Sequence, residues 1–111
     1  MSVRICKNLT HLKKLLKSNP LQRRIILQTA SDELILTLCE VALNTLRGTI
    51  PLTSGQYRKL EKKKNIIKLI ADKKIGVLRK RQTINQQGGF ILPLLSVAIP
   101  FISSIIAARR G

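Results

Sequence analysis

Acidic residues are scarce in this chain: five Asp and Glu face 21 Lys and Arg, for a formal charge of +16. Such self-repulsion opposes compaction, and a polyanion offsets it most simply, nucleic acid first and anionic lipid second. Aromatics are scarcer still, with one Tyr, two Phe and no Trp. That leaves almost nothing for bases to stack on and argues against a single-strand-binding surface. Two cysteines, Cys6 and Cys39, form neither a disulfide scaffold nor a metal-ligand spacing. Cys39 lies in an apolar helical run and reads as a buried free thiol, which fits a reducing cytosolic or nuclear compartment. The one histidine, His11, sits among lysines and is expected at the surface. No acid pair has the context of an acid/base couple, and no Gly-rich loop follows a strand. Residues 1–8 contain no apolar stretch of signal-peptide length. The chain is therefore expected to be non-enzymatic, without cofactor or metal.

What is present is helical periodicity; no stretch carries a strand pattern or an internal repeat. Asn8 can cap a first helix through Ser18, with Leu9, Leu12 and Leu16 on one face. Pro20 ends it and opens a short element, Leu21 to Gln28, with Ile25 and Ile26 inward and Arg23 and Arg24 toward solvent. Ser31 reads as the N-cap of a third helix whose first turn holds Asp32 and Glu33, where the dipole favours negative charge. Gly48 closes it as a C′ residue. Glu33, Thr37, Glu40, Asn44 and Arg47 form one polar stripe on this helix, and apolar residues fill the rest, so other elements must surround it. Thr53 and Gln56 make a capping box for a fourth helix running to about Lys73. Its apolar face is Tyr57, Leu60, Ile67 and Ile70. Ile75 to Ile84 is a weaker last helix, interrupted by Gly76. The expected fold is all-α, a small bundle of four to five short helices. A Gly-Gly linker and an apolar C-terminal helical tail follow it. The segments are a basic bundle over 1–83, a polar linker over 84–89 and the tail over 90–111. The pattern of 1–83 is expected to close without the tail.

The basic signal is concentrated late in the bundle. Arg58, Lys59, Lys62, Lys63, Lys64, Lys68, Lys73, Lys74, Arg79, Lys80 and Arg81 occur against only Glu61 and Asp72. Lysines on the solvated face of an amphipathic helix can follow a phosphate backbone and release its counterions, giving salt-dependent binding without sequence preference. These eleven residues are the candidate contacts to double-stranded DNA. Helix-turn-helix readout fits less well. The third helix is too apolar to enter a groove, and the fourth offers lysine where Arg, Asn and Gln read base edges.

From Phe90 to Ala108 the chain is uncharged. A hydrocarbon core of about 30 Å needs roughly 20 apolar helical residues, so this run is just long enough to span one. Pro93 suits a first helical turn, whereas Pro100 interrupts the helix interior. Ser96, Pro100, Ser103, Ser104 and Ala107 fall on one narrow stripe, as in close helix packing within lipid. Leu94, Leu95, Val97, Ile99, Phe101, Ile102, Ile105 and Ile106 cover the remaining surface. Periodicity alone does not separate a membrane or partner-binding tail from a buried helix of a soluble bundle.

The segment Gly88-Gly89-Phe90-x-Leu92-Pro93-x-Leu95, with its Ile- and Pro-containing apolar continuation, resembles the C-terminal part of the adenovirus precursor of core protein X, or mu. The resemblance covers roughly residues 79–110. Other stretches are similar to small basic proteins of Maverick/Polinton-type elements and adintoviruses: His11-Leu12-Lys13-Lys14-Leu15-Leu16, Leu38 to Asn44, and Gly48-x-Ile50-Pro51-Leu52. The resemblance implies a virion core protein that condenses DNA, is present in the host nucleus during assembly, and is cut by a maturation protease between Gly89 and Phe90. Gln86 stands where that family typically has an aliphatic residue. Lysine-rich helices stand where the family has a short arginine-rich peptide. A capsid protein, the protease or a membrane are the further partners it implies for the tail. The sequence-based alternative is a membrane-active or capsid-cementing protein with a polybasic lipid-binding segment.

Overall fold

The computed structural model describes residues 3–110, and the side chains of residues 3–108. Met1, Ser2 and Gly111, at the edges of the expected segments 1–83 and 90–111, lie outside the described residues. The fold is all-α. In chain order the helices are α1 (Val3–Lys7), α2 (Leu9–Lys17), α3 (Pro20–Gln28), α4 (Asp32–Leu46), α5 (Ser54–Glu61), α6 (Lys64–Ala71), α7 (Val77–Gln86) and α8 (Ile91–Arg110), with a 3₁₀ turn at Gly88–Phe90 before α8.

There are more helices than the periodicity suggested: α1 precedes the expected first helix, and the expected fourth helix is divided into α5 and α6. Asn8 does not cap α2 with its side chain. Its amide instead donates to the Arg4 carbonyl at 2.8 Å and closes the short α1. The expected fourth helix breaks at Lys62-Lys63, where the Lys63 N–H returns to the Leu60 carbonyl at 3.0 Å. Arg58 and Lys62, like Lys59 and Lys63, are like charges four residues apart, which weakens a continuous helix there.

The capping signals at Ser31, Thr53-Gln56 and Gly48 act as the sequence implied. Ser31 accepts from the Leu34 N–H at 3.2 Å. Thr53 and Gln56 exchange bonds of 3.2 and 2.9 Å. A second reciprocal box, Asn19 with Gln22, starts α3 with Pro20 in its first turn. Gly48 takes φ +78° after α4, and the reversal delivers Ile50 fully into the core. Only a residue without Cβ enters that left-handed region cheaply.

Helix α4 is the centre, packed most extensively on α6 and also on α1, α7 and α8. Ile35, Leu38, Val41 and Ala42 are fully buried. Thr37, expected on the polar stripe, is buried as well; its hydroxyl donates to the Glu33 carbonyl at 2.6 Å, so no polar group is stranded. Ile25 was expected inward but is 52% exposed, and Leu27 takes the buried position in α3. Arg23, expected in solvent, is half-buried and donates to the Ser18 carbonyl at 2.8 Å. Tyr57, expected on the apolar face of its helix, is 49% exposed.

The C-terminal helix is part of the same core. Phe90, Ile91, Leu94, Leu95, Ala98, Ile99 and Ile102 are buried in it, where α8 packs on α2, α4 and α5. The radius of gyration is 13.1 Å, matching the roughly 13 Å of a compact chain this long, so α8 does not project away. Four members of the small-residue stripe, Ser96, Pro100, Ser104 and Ala107, are exposed, whereas Ser103 is half-buried with its hydroxyl enclosed and without a hydrogen-bond partner. Helix α8 continues through Pro100, and the carbonyl that Pro100 leaves without a donor belongs to exposed Ser96, within reach of water. A body ending at residue 83 would uncover the faces of α2, α4 and α5 that α8 buries. The pattern of 1–83 therefore does not close the core by itself.

Candidate nucleic-acid interface

Nine of the eleven cations singled out in the sequence are exposed: Arg58 and Lys59 on α5, Lys62 and Lys63 in the break, Lys64 and Lys68 on α6, Lys73 and Lys74 in the next turn, and Arg79 on α7. Those on α5 and α6 are exposed because Leu60, Ile67, Ile70 and Ala71 hold the other side of the same helices in the core. Among the described residues none of the nine forms an ion pair. The two acids in the stretch, Glu61 and Asp72, are exposed. Asp72 accepts the Lys74 backbone N–H at 2.9 Å and so shapes the turn.

The last two cations stand apart. Lys80 is only 5% exposed on the side of α7 that packs on α4. Arg81 donates to Asp32 at 2.7 Å and to the Ala30 carbonyl at 2.6 Å. A phosphate would have to displace those partners. Helical phase explains the split: α7 is the one element of the stretch whose basic run meets the bundle.

The acids of α4 are similarly occupied. Arg4 reaches Glu33 at 3.2 Å and Glu40 at 3.1 Å, so α1 is clamped across the acidic stripe. Exposed pairs of this kind contribute less than about 1 kcal/mol each. Their electrostatic consequence is larger: three of the five acids are matched within α1, α4 and α7 and do not offset the α5–α6 lysines.

Cys39 is buried, and desolvation raises its pKa from 9.0 to about 11; nearby Lys80 opposes the shift and Glu40 adds to it. The thiol is protonated and unreactive at neutral pH. His11 is exposed. Among the described residues no group of three His, Cys, Asp or Glu is placed to hold a metal ion.

The expected linker is structured. Ile84, Asn85 and Gln86 continue α7, with Ile84 fully buried. Gly88, Gly89 and Phe90 form the 3₁₀ turn, and Phe90 is fully buried. Burying the Phe90 ring pulls the glycine pair onto the bundle, so this segment is not extended. A Cβ on Gly88 would meet Leu27 at an ordinary 3.7 Å, and one on Gly89 would meet open space. Neither glycine has positive φ. The fold therefore does not require either one.

Of the tail residues, Leu94, Leu95, Ile99 and Ile102 are buried, whereas Val97, Phe101, Ile105 and Ile106 are half-buried. By length and composition Gly88–Ala108 could cross a membrane, but its inner side is here covered by protein.

One charged surface was not singled out from the sequence: Lys13, Lys14 and Lys17 are exposed on α2. The available signal was that the chain has no acid before Asp32. Comparison with protein-family models, with curated proteins and with solved structures gives no match to this chain.

Proposed function

We propose that the chain is a non-enzymatic core protein of a virus or virus-like mobile element, binding and compacting double-stranded DNA through phosphate contacts. The observation that carries the DNA reading is the set of nine exposed cations without ion pairs between Arg58 and Arg79, on α5, α6, the start of α7 and the turns between them. Lysine-dominated charge without aromatic or bidentate base-reading groups favours backbone binding over sequence recognition. The virion assignment is supported by the resemblance of residues 79–110, and localisation to the virion and host nucleus goes with it.

The test is duplex binding by the full chain at a series of salt concentrations. Contact with six phosphates gives a log–log slope of about −5, the same for unrelated sequences. A slope near zero, or a footprint confined to one sequence, would refute phosphate-backbone binding.

For the tail we propose capsid or membrane engagement after α8 leaves the bundle, with cleavage after Gly89 as the precondition. Two glycines that the fold does not require support this reading. Buried Phe90 adds a condition: a protease gains the bond only when the start of α8 opens. Intact mass spectrometry of particle-derived protein decides the matter, since a fragment beginning at Phe90 is expected and an uncut 12.5 kDa chain would reject it. The membrane alternative is favoured by the span-length apolar stretch. Liposome flotation of the full chain, with and without added duplex, separates it from the DNA reading.

A further inference from the structure

Helices α2 and α3 are joined by only Ser18 and Asn19, yet an open groove of about 700 Å³ lies between them. One wall is α2, presenting Lys13, Lys14 and Lys17; the other is α3, presenting Gln22, Ile25 and Ile26. Ile25 is 52% exposed and Leu21, one turn before it on α3, is 67% exposed. Lysines thus line one wall of the groove, and unburied aliphatic side chains stand on the helix that forms the other. Nothing acidic precedes Asp32 in the chain.

We propose that this groove receives an acidic amphipathic helix from a different protein. Its apolar residues, at i, i+4 spacing, cover Ile25 and Ile26 in the groove and exposed Leu21 on the same helix, and its Asp or Glu residues face Lys13, Lys14 and Lys17. Helix-in-groove recognition has this form: apolar anchors supply affinity, and charge sets orientation. Duplex DNA fits the site less well, because a phosphate backbone has nothing to bury against aliphatic side chains. A second copy of this chain also fits poorly. Its acid-rich helix α4 has Asp32, Glu33 and Glu40 engaged by Arg81 and Arg4, and Glu61 and Asp72 are embedded among lysines. The occupant therefore has to bring its own acids. This inference uses different residues from the DNA reading and stands independently of it.

The experiment pans a random helical peptide library against the immobilised full chain at physiological salt, where long-range attraction is screened beyond about 8 Å. Enriched peptides are expected to combine Asp or Glu with apolar residues at i, i+4. Lys13→Glu with Lys17→Glu should weaken them at least tenfold, and Ile25→Ser about fivefold or more. Both changes fall on exposed positions, so helicity by circular dichroism should be unchanged. Lys62→Gln with Lys63→Gln and Lys64→Gln should leave peptide affinity as it was. Amide shifts in ¹⁵N spectra should concentrate on α2 and α3. Failure to enrich such peptides would overturn the proposal. Equal binding to Ile25→Ser would reduce it to unspecific charge, and an equal loss in the Lys62–Lys64 variant would place the peptides on the other surface. Tight binding of phosphatidylserine vesicles that Ile25→Ser abolishes, with no peptide binding, would assign the groove to lipid instead.

Discussion

Gly48 and Gly89 have the same side chain and opposite reasons for it. At Gly48 the backbone is left-handed, with φ +78° and open space around a would-be Cβ, so Gly48→Ala meets only conformational strain. It should cost on the order of 1 kcal/mol. Gly89 has neither positive φ nor a close neighbour, so Gly89→Ala should be neutral or stabilise by about 0.4–1 kcal/mol through the unfolded chain. The denaturant midpoint should fall for Gly48→Ala and hold or rise for Gly89→Ala. Cys39 gives a second residue-scale outcome. Its folded pKa is raised to about 11 from 9.0, so above pH 9 the unfolded chain releases the proton while the folded chain keeps it. The stability this confers is complete below pH 9 and is lost as pH rises toward 11, by about 2–3 kcal/mol. Comparing urea midpoints of the native chain and Cys39→Ala across pH 8–11 isolates it, because the variant lacks that component of the decline.

At the scale of elements, α4 and α8 share the core but differed in how far their sequences revealed it. Helix α4 announced itself: Ser31 at its start, Gly48 past its end, and an apolar surface that only surrounding helices could cover. Leu38→Ala should cost about 2–5 kcal/mol in thermal or denaturant unfolding, as expected for a fully buried leucine. Helix α8 was equally legible as a helix, but hydrophobicity does not state what it will be buried against. Lipid, a partner and this chain's own α2, α4 and α5 all satisfy the same pattern. Removing residues 90–111 should therefore abolish cooperative unfolding, whereas Ser96→Ala or Ser104→Ala on the outer stripe should leave it intact. Helix phase set the limit elsewhere too. The turn at Lys62-Lys63 and the placement of Ile25 depend on where neighbouring helices arrive, and propensity does not encode that.

For the whole molecule, charge is sorted rather than spread. Three acids are matched by Arg4 and Arg81 around α4, and the exposed cations face solvent without them. Composition revealed the excess charge at once, and the basic run from Arg58 was visible directly. That Lys80 is buried and Arg81 is engaged was not visible, because Arg79, Lys80 and Arg81 read alike until the packed side of α7 is known. The salt dependence of duplex binding should separate them. Replacing Lys62, Lys63 and Lys64 by Gln should flatten the slope by up to about 3, and Lys80→Gln or Arg81→Gln by much less than 1. Equal losses at all five positions would mean that α7 reorganises on DNA.

The burial of Phe90 changes what a cut at Gly89 would accomplish. The peptide bond would break while the core contacts of α8 stayed in place. A covalent tether, equivalent to a millimolar-scale local concentration for a short linker, would be replaced by ordinary bimolecular association. The nicked protein would then respond to dilution. Inside the proposed virion the two pieces would remain together, and on release into a larger volume they would separate by mass action. Cleavage would set the threshold, and the opening of the container would be the signal.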